Sequence, residues 1–501
     1  MLELERPENG SAHPVAACRS RDRDAAPDAD TSMRSRRPRG AGAAMSRAAR
    51  PSRRSGRTLS GVTKQPLSLA RVFASWWPLA ASWAFMGVEM PLVSAVMARL
   101  ADPEIHLAAY GGIVFPVALI IEAPIIMLLA ASTALGRDPQ AYRLMHRFMM
   151  VAGGLLTAVH AIFAFTPAFD TILVPLLGPP EAVIEPARIG LMIMLPWTWT
   201  IAYRRFHQGL LIRFGHPGAV GVGTGVRLAT VTTVALSGLA IGSIPGVVVA
   251  TAAIAAGVSA EALYTGLRTR PVVRGPLTDA APSGSSLSWR GFVDFYVPLA
   301  LTSLLLLLVQ PIGAAAIGRM PAALASLAAW PVVNGLVFLF RSMGFAYNEV
   351  VVALMDEPGA EAPLQRFTVL LAVGSLAATV TIATTPLATL WFGVVSGLPP
   401  ALVELARHAF WFGLAWAPLD VVRNYLQGRL VHARRTRGIS ESVGVFLVVS
   451  TALLAIGVAL QSGEGLVLAM VSFVAGTTAQ IGWLLWRLRG ARRALAAAVV
   501  T

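Results

Sequence analysis

The sequence predicts an all-α polytopic membrane protein of about twelve transmembrane helices, arranged as two parallel six-helix repeats. Three observations carry that prediction. Only 13% of the 501 residues are charged and 55% are hydrophobic, with a mean hydropathy of +0.64. A soluble chain of this length would carry about 25% charge. Twelve apolar runs are each long enough to cross about 30 Å of hydrocarbon, and blocks of the first half return in the second at a nearly constant offset.

Taken in order, residues 1–66 come first and read as a disordered basic arm. Residues 31–70 hold nine Arg and Lys64 without a single acid. The stretch lacks interleaved aromatics and adjoins the first span, so a positive cytoplasmic flank is expected rather than a nucleic-acid arm. It has no apolar core of a secretory signal, and Met33 and Met45 are alternative starts. Cys18 is the only cysteine, which excludes an intrachain disulfide.

The runs fall at 73–98, 107–134, 148–166, 187–203, 217–239 and 246–266, then at 292–318, 325–350, 367–390, 405–422, 440–460 and 465–486. Basic residues orient them. Arg137, Arg143 and Arg147 follow the second run; Arg204, Arg205 and Arg213 the fourth; Arg268, Arg270, Arg274 and Arg290 the sixth; Arg423, Arg429, Arg434, Arg435 and Arg437 the tenth. The intervening loops carry Asp102 and Glu104, then Asp170, Glu181 and Glu185, then Glu464. The alternation places both termini in the cytoplasm of a multi-pass inner (plasma) membrane protein. The expected organisation is an N-terminal lobe at 67–270, a cytoplasmic linker at 271–290, a C-terminal lobe at 291–490 and a tail at 491–501.

The repeat sets the relation between the lobes. "PLAASWAFMGVEMPLVSAVMARL" (78–100) and "PLALTSLLLLLVQPIGAAAIGRM" (298–320) share Pro78, Pro91 and Arg99 with Pro298, Pro311 and Arg319, each at an offset of 220. Arg188, Trp197, Arg204 and Gln208-Gly209 return as Arg407, Trp416, Arg423 and Gln427-Gly428 at an offset of 219. An even number of spans per repeat makes the two copies enter the membrane in the same direction.

Phosphate-cradling glycine loops, CxxC, HExxH and serine elbows are missing and the eight histidines are scattered. The chain is therefore not expected to be an enzyme, and no cofactor or metal site is expected. Polar residues inside spans carry the information, because they face a bundle interior or a wet cavity. Glu89 lies two residues before Pro91, whose ring breaks the helix and frees a carbonyl; it reads as a proton or cation site. Glu122 lies between Pro116 and Pro124. Its sequence neighbour Ile121 corresponds to Arg341, so Glu122 and Arg341 are expected to meet across a central cleft, as a gate or as a static bridge. Asn334 and Gln310 line that cleft or bond neighbouring helices. His160 is titratable near neutrality but reads equally as a packing residue, and Arg227 needs a partner or a wet face. Asp420 is expected to pair with Arg423 one turn on. Pro91, Pro124 and Pro311 mark kinks, and the Gln-Gly pairs read as helix terminators.

These residues resemble a known superfamily. Twelve spans in two halves, with "RRFHQGLLIRFGHPGAVGVG" and "RNYLQGRLVHARRTRGISES" at the ends of the fourth helices, are similar to the multidrug/oligosaccharidyl-lipid/polysaccharide exporters, which include the MATE extruders and the lipid II flippases. "WWPLAASWAFMGVEMPLVSAVMARLADPEIHLAAYGG" resembles the first spans of the progressive ankylosis family. The resemblance covers about residues 70–490 and implies a MATE-like V-shaped bundle that works by alternating access. It implies a secondary active exporter or antiporter of a small organic molecule, coupled to H+ or Na+, of the multidrug-efflux type. MATE proteins move organic cations; progressive ankylosis proteins are associated with pyrophosphate, ATP and citrate. The expected partners are a small-molecule substrate, the coupling ion and the lipid bilayer, with no nucleic acid, and the protein is expected to be a monomer. A lipid-linked precursor flippase and a non-transporting membrane scaffold are the alternatives. A major-facilitator transporter ranks lower, since "GRDPQAYRLMHR" lacks that family's loop signature.

Overall fold

A computed structural model describes residues 66–280, 287–433, 437–461 and 463–500. The basic arm before Pro66, with Cys18, Met33 and Met45, lies outside the described residues, as do the side chains of the tail.

The chain folds as helices α1 (Leu69–Met97), α2 (Pro103–Glu122, resuming over Leu128–Leu135), α3 (Pro139–Phe165), α4 (Ile184–Ile193 and Leu195–Arg213), α5 (Pro217–Ile241) and α6 (Gly246–Arg274). The second half repeats them as α7 (Trp289–Gly318), α8 (Ala323–Leu354), α9 (Glu361–Thr384), α10 (Pro400–Gly413 and Trp416–His432), α11 (Arg437–Leu460) and α12 (Gly465–Arg489). Local chemistry explains several starts. Ser68, Asp138 and Ser288 accept from the free amides of the first turns of α1, α3 and α7.

Among the described residues ten of these helices are long and apolar enough to cross a membrane. The two that fall short are α4 and α10, each broken near its middle and each carrying charge. Large apolar side chains such as Val151, Leu155, Val448 and Leu460 are about two-thirds exposed, as expected of a surface that faces lipid. The chain is a multi-pass membrane protein.

The kinks fall where prolines demand them. Proline lacks an amide donor, and its ring collides with the carbonyl four residues back. Helix α1 is interrupted at Val88 before Pro91, α7 at Leu308 before Pro311, and α2 over residues 123–127 around Pro124. Helices α4 and α10 break at Met194 and at Leu414–Ala415, just before Pro196 and Pro418.

One apolar cluster of buried residues runs through both halves, and a second joins the start of α1 to α8, α9 and α10. The first helix of each half begins against the other half. Trp76 of α1 donates to the Met343 carbonyl of α8 at 3.0 Å. In α7, Tyr296 donates to the Pro124 carbonyl at 2.6 Å, and its ring meets Phe148 edge-on.

The expected helix ends at Gln-Gly are corrected. Gln208-Gly209 lies inside α4 and Gln427-Gly428 inside α10. The glycines act in close approach. A Cβ on Gly209 would collide with Ser132 and the Leu129 carbonyl of α2, and one on Gly428 would lie 2.8 Å from Val351 of α8. The fourth helix of each half is thereby drawn onto the second. The fourth and tenth helices also run past their expected ends, so Arg204, Arg205 and Arg423 are helical rather than cytoplasmic-loop residues.

Candidate functional site

The breaks in α1, α4, α7 and α10 surround a central cavity of about 390 Å³ that takes its walls from both halves. Five arginines reach it: Arg204, Arg205, Arg227, Arg341 and Arg423. Among the described residues two acids line it directly, Glu89 and Glu122. Trp197, Trp330, Phe338 and Trp416 supply aromatic surface, and Gln310, Asn334 and Gln480 supply neutral polar groups.

The N-terminal half gathers its charges around Glu261, a fully buried residue of α6. Arg204 of α4 bonds one of its oxygens at 2.5 Å, and Gln208 donates to the other at 2.9 Å. Arg227 of α5 stands 3.7 Å from Glu261 and 2.9 Å from Glu89 of α1. Four helices are thus joined by two acids and two arginines, and the network is formally neutral. An unpaired charge at such depth would cost several kcal/mol, which accounts for its closure.

Glu122 and Arg205 stand apart from that network. Among the described residues neither forms a salt bridge, and the Glu122 Oε2 and the Arg205 Nε, like the Nε atoms of Arg204 and Arg227, are buried without a hydrogen-bond partner.

The C-terminal half is built differently. Asp420 of α10, fully buried, takes Arg341 of α8 at 2.5 Å and Arg423 at 3.2 Å. The Arg341 guanidinium also lies 3.9 Å over the Trp416 ring, a favourable cation–π position. Two arginines on one acid leave a formal positive charge on this wall.

Sequence reasoning placed most of these residues but not their partners. Glu89 and Arg227, singled out separately, meet each other. Glu122, Arg341, Gln310 and Asn334 all line the cavity. The expected Glu122–Arg341 pair is not formed, since Arg341 is taken by Asp420. The physical reason is the close approach at the Gln-Gly pairs. In the second half it brings α10 beside α8, so Arg341 finds Asp420 within its own half. Asp420 does pair with Arg423, as expected, but shares itself with Arg341. His160 is corrected as a pathway residue. It is fully buried, hydrogen-bonded to Thr198 at 2.9 Å and to the Leu191 carbonyl at 3.0 Å, and it packs α3 on α4 away from the cavity.

Glu261, Arg204, Arg205 and Arg423 were missed. Glu261 carried the same signal as Glu89, an acid inside an apolar run ("VATAAIAAGVSAEALYTG"). The arginines were hidden by placing the helix ends too early. Among the described residues no cluster of three or more His, Cys, Asp or Glu could hold a metal ion.

No family model matches the chain, and no curated protein matches it by sequence. Its fold is similar to solved structures. A multidrug-resistance MATE family transporter of the MOP superfamily, in an inward-facing conformation, superposes with a TM-score of 0.66 at 16% identity, over 82% of this chain and 97% of that one. The lipid II flippase MurJ, in an inward closed conformation, gives a TM-score of 0.66 at 11% identity, over 82% and 87%. A MOP superfamily transporter from Pyrococcus furiosus, described by a reversed polarity of its binding pocket, gives 0.56 at 18% identity, over 85% and 96%. At these identities the likeness is one of fold.

Proposed function

We propose that the chain is a secondary active transporter that exports a small organic anion through the central cavity by rocking its two halves. The observation that carries this reading is the charge balance around the cavity: Arg204, Arg205, Arg227, Arg341 and Arg423 stand against Glu89, Glu122, Glu261 and Asp420, and Arg341 and Arg423 share the single carboxylate of Asp420. Two buried cations on one carboxylate leave a positive charge short of its counter-charge, and an anionic substrate would supply what is missing. Trp416 and Trp330 would hold an apolar or aromatic body beside the charged head. This reading agrees with the progressive ankylosis branch of the resemblance more than with cation extrusion.

The Glu89–Arg227–Glu261–Arg204 network is the coupling element in this reading. Loading a proton or Na+ on Glu89 would loosen Arg227, which already sits between two acids. The break at Val88, directly before Glu89, would let α1 respond.

A lipid-linked precursor flippase is the second reading, favoured by the same five arginines, which suit a phosphate-bearing head group. Proteoliposomes decide between them. Uptake of small di- and tricarboxylates or pyrophosphate, stimulated by a pH or Na+ gradient, is expected. Uptake of organic cations alone would overturn the anion reading, and translocation of a pyrophosphate-linked polyprenyl lipid without any soluble-anion flux would favour the flippase. No flux of any class would favour the scaffold alternative.

A further inference from the structure

The ends of α1 and α7 carry a contact that the cavity does not use. Arg99, just past α1, donates to the Val394 and Val395 carbonyls at 2.5 and 3.0 Å. Those carbonyls end the helical turn Leu390–Val395, which lies in the other half of the chain. Arg319, just past α7, donates to Pro175, Leu176 and Leu177 carbonyls at 2.7, 2.8 and 3.0 Å. These end the turn Val174–Leu177 of the first half. Each guanidinium therefore caps a helix C-terminus, where carbonyls lack partners and the dipole is negative.

The two contacts are copies of one another. Arg99 and Arg319 are related by the offset of 220, and the glycines that follow the capped turns, Gly178 and Gly397, by 219. Both glycines have positive φ, +61° and +72°. A Cβ at Gly178 would lie 3.0 Å from the Arg319 Cζ, and one at Gly397 would lie 2.7 Å from an Arg99 nitrogen. Nothing but glycine fits without displacing the arginine.

Each arginine is rooted in its own half. Met97 rests its backbone against Gly246 of α6, and Ile317 rests its backbone against Gly465 of α12. Gln461 further holds the Arg319 carbonyl at 3.0 Å. The root is on one half and the grip on the other, in both directions. This end of the molecule, by the distribution of basic residues, faces away from the cytoplasm. The duplicated halves have also diverged around the cavity, where Glu89, Arg227 and Glu261 answer to Val309, Phe446 and Gln480. The arginine–glycine contact survived in both copies, as a two-sided closure requires.

We propose that Arg99 and Arg319 form a reciprocal latch that holds the outer end of the cavity shut, and that both grips release together when the cavity opens outward. The idea rests on the alternating-access reading above.

The test uses the full chain with Cys18→Ser and a single reporter, Leu119→Cys, in the cavity wall. Labelling by a membrane-impermeant maleimide is followed from outside in cells and from the cytoplasmic side in inverted vesicles. In Arg99→Gln/Arg319→Gln, loss of both grips shifts a two-state equilibrium, so outer labelling is expected to rise about tenfold and cytoplasmic labelling to fall. Arg99→Lys/Arg319→Lys keeps the charge but cannot fork across neighbouring carbonyls, and should give most of the rise. Unchanged labelling in a Gln variant that elutes as a folded, monodisperse species would overturn the latch. Should the double variant fail to fold, Gly178→Ala pushes a methyl against Arg319 and must give the same rise on its own, or the latch is wrong. Altered labelling without any anion flux in proteoliposomes would leave the latch standing and remove the transport reading instead.

Discussion

The two halves of this chain share a backbone plan and differ in charge. Both break their first and fourth helices before a proline. Both draw the fourth helix onto the second at a Gln-Gly pair, and both end the first helix in a capping arginine. Around the cavity they part. The first half holds a closed, neutral network of Glu89, Arg227, Glu261 and Arg204; the second puts Val309, Phe446 and Gln480 at the corresponding places and keeps Asp420 between two arginines. Duplication preserved the mechanical parts and let the chemistry specialise. On the reading proposed here, the first half couples and the second half grips.

The sharpest way to break this comparison is to remove its most buried member. Glu261→Ala leaves Arg204 and Gln208 without their acceptor, and Arg227 with Glu89 alone, and should cost about 3–5 kcal/mol. Gln480→Ala, its counterpart, should cost about 1 kcal/mol. Thermal unfolding in detergent measures both, and equal losses would mean that the halves are not distinct.

Next in size, Arg341→Gln should lower anion flux at least about tenfold, the loss of one charge-assisted contact. Asp420 would remain paired to Arg423, so the protein should stay folded. A charge swap of Arg341 with Asp420 should recover more flux than a swap of Arg341 with Glu122, because only the former pair is in contact. The reverse ranking would restore the cross-cleft gate expected from sequence.

Smaller effects follow at the glycines. Gly209→Ala would put its methyl into collision with the Leu129 backbone carbonyl, whereas Gly428→Ala meets nothing nearer than the Val351 side chain at 2.8 Å. Overpacking of this kind costs about 1–3 kcal/mol; the first substitution should fall near the top of that range and the second near the bottom, by chemical or thermal unfolding. Smallest of all is Arg205→Gln. With its Nε unpartnered, removing the charge should leave the midpoint of thermal unfolding unchanged or raised, while anion flux falls. A large loss of stability would show that Glu122 depends on Arg205 for folding.

Much of the fold was legible because hydropathy and repetition act along the chain. Runs of about twenty apolar residues must span, since an unsatisfied backbone in lipid is too costly to tolerate otherwise. The offsets of 220 and 219 exposed the duplication, and Pro91, Pro124 and Pro311 announced their breaks because the missing donor and the ring clash are local. Glu261 was equally legible and was overlooked. Arg204, Arg205 and Arg423 were harder, since arginine near an apparent helix end looks like a positive cytoplasmic loop until the helix is seen to continue.

By itself, the sequence determined that this is a duplicated bundle of membrane helices with charges buried inside it and hinges beside them. Only the tertiary structure decided which charges meet. A buried ion takes the counter-ion nearest in space, and proximity depends on which helices touch and at what rotation. Here two glycines, Gly209 and Gly428, bring α4 onto α2 and α10 onto α8. The contact of α10 with α8 assigns Arg341 to Asp420 rather than to Glu122, a choice that no spacing along the chain encodes.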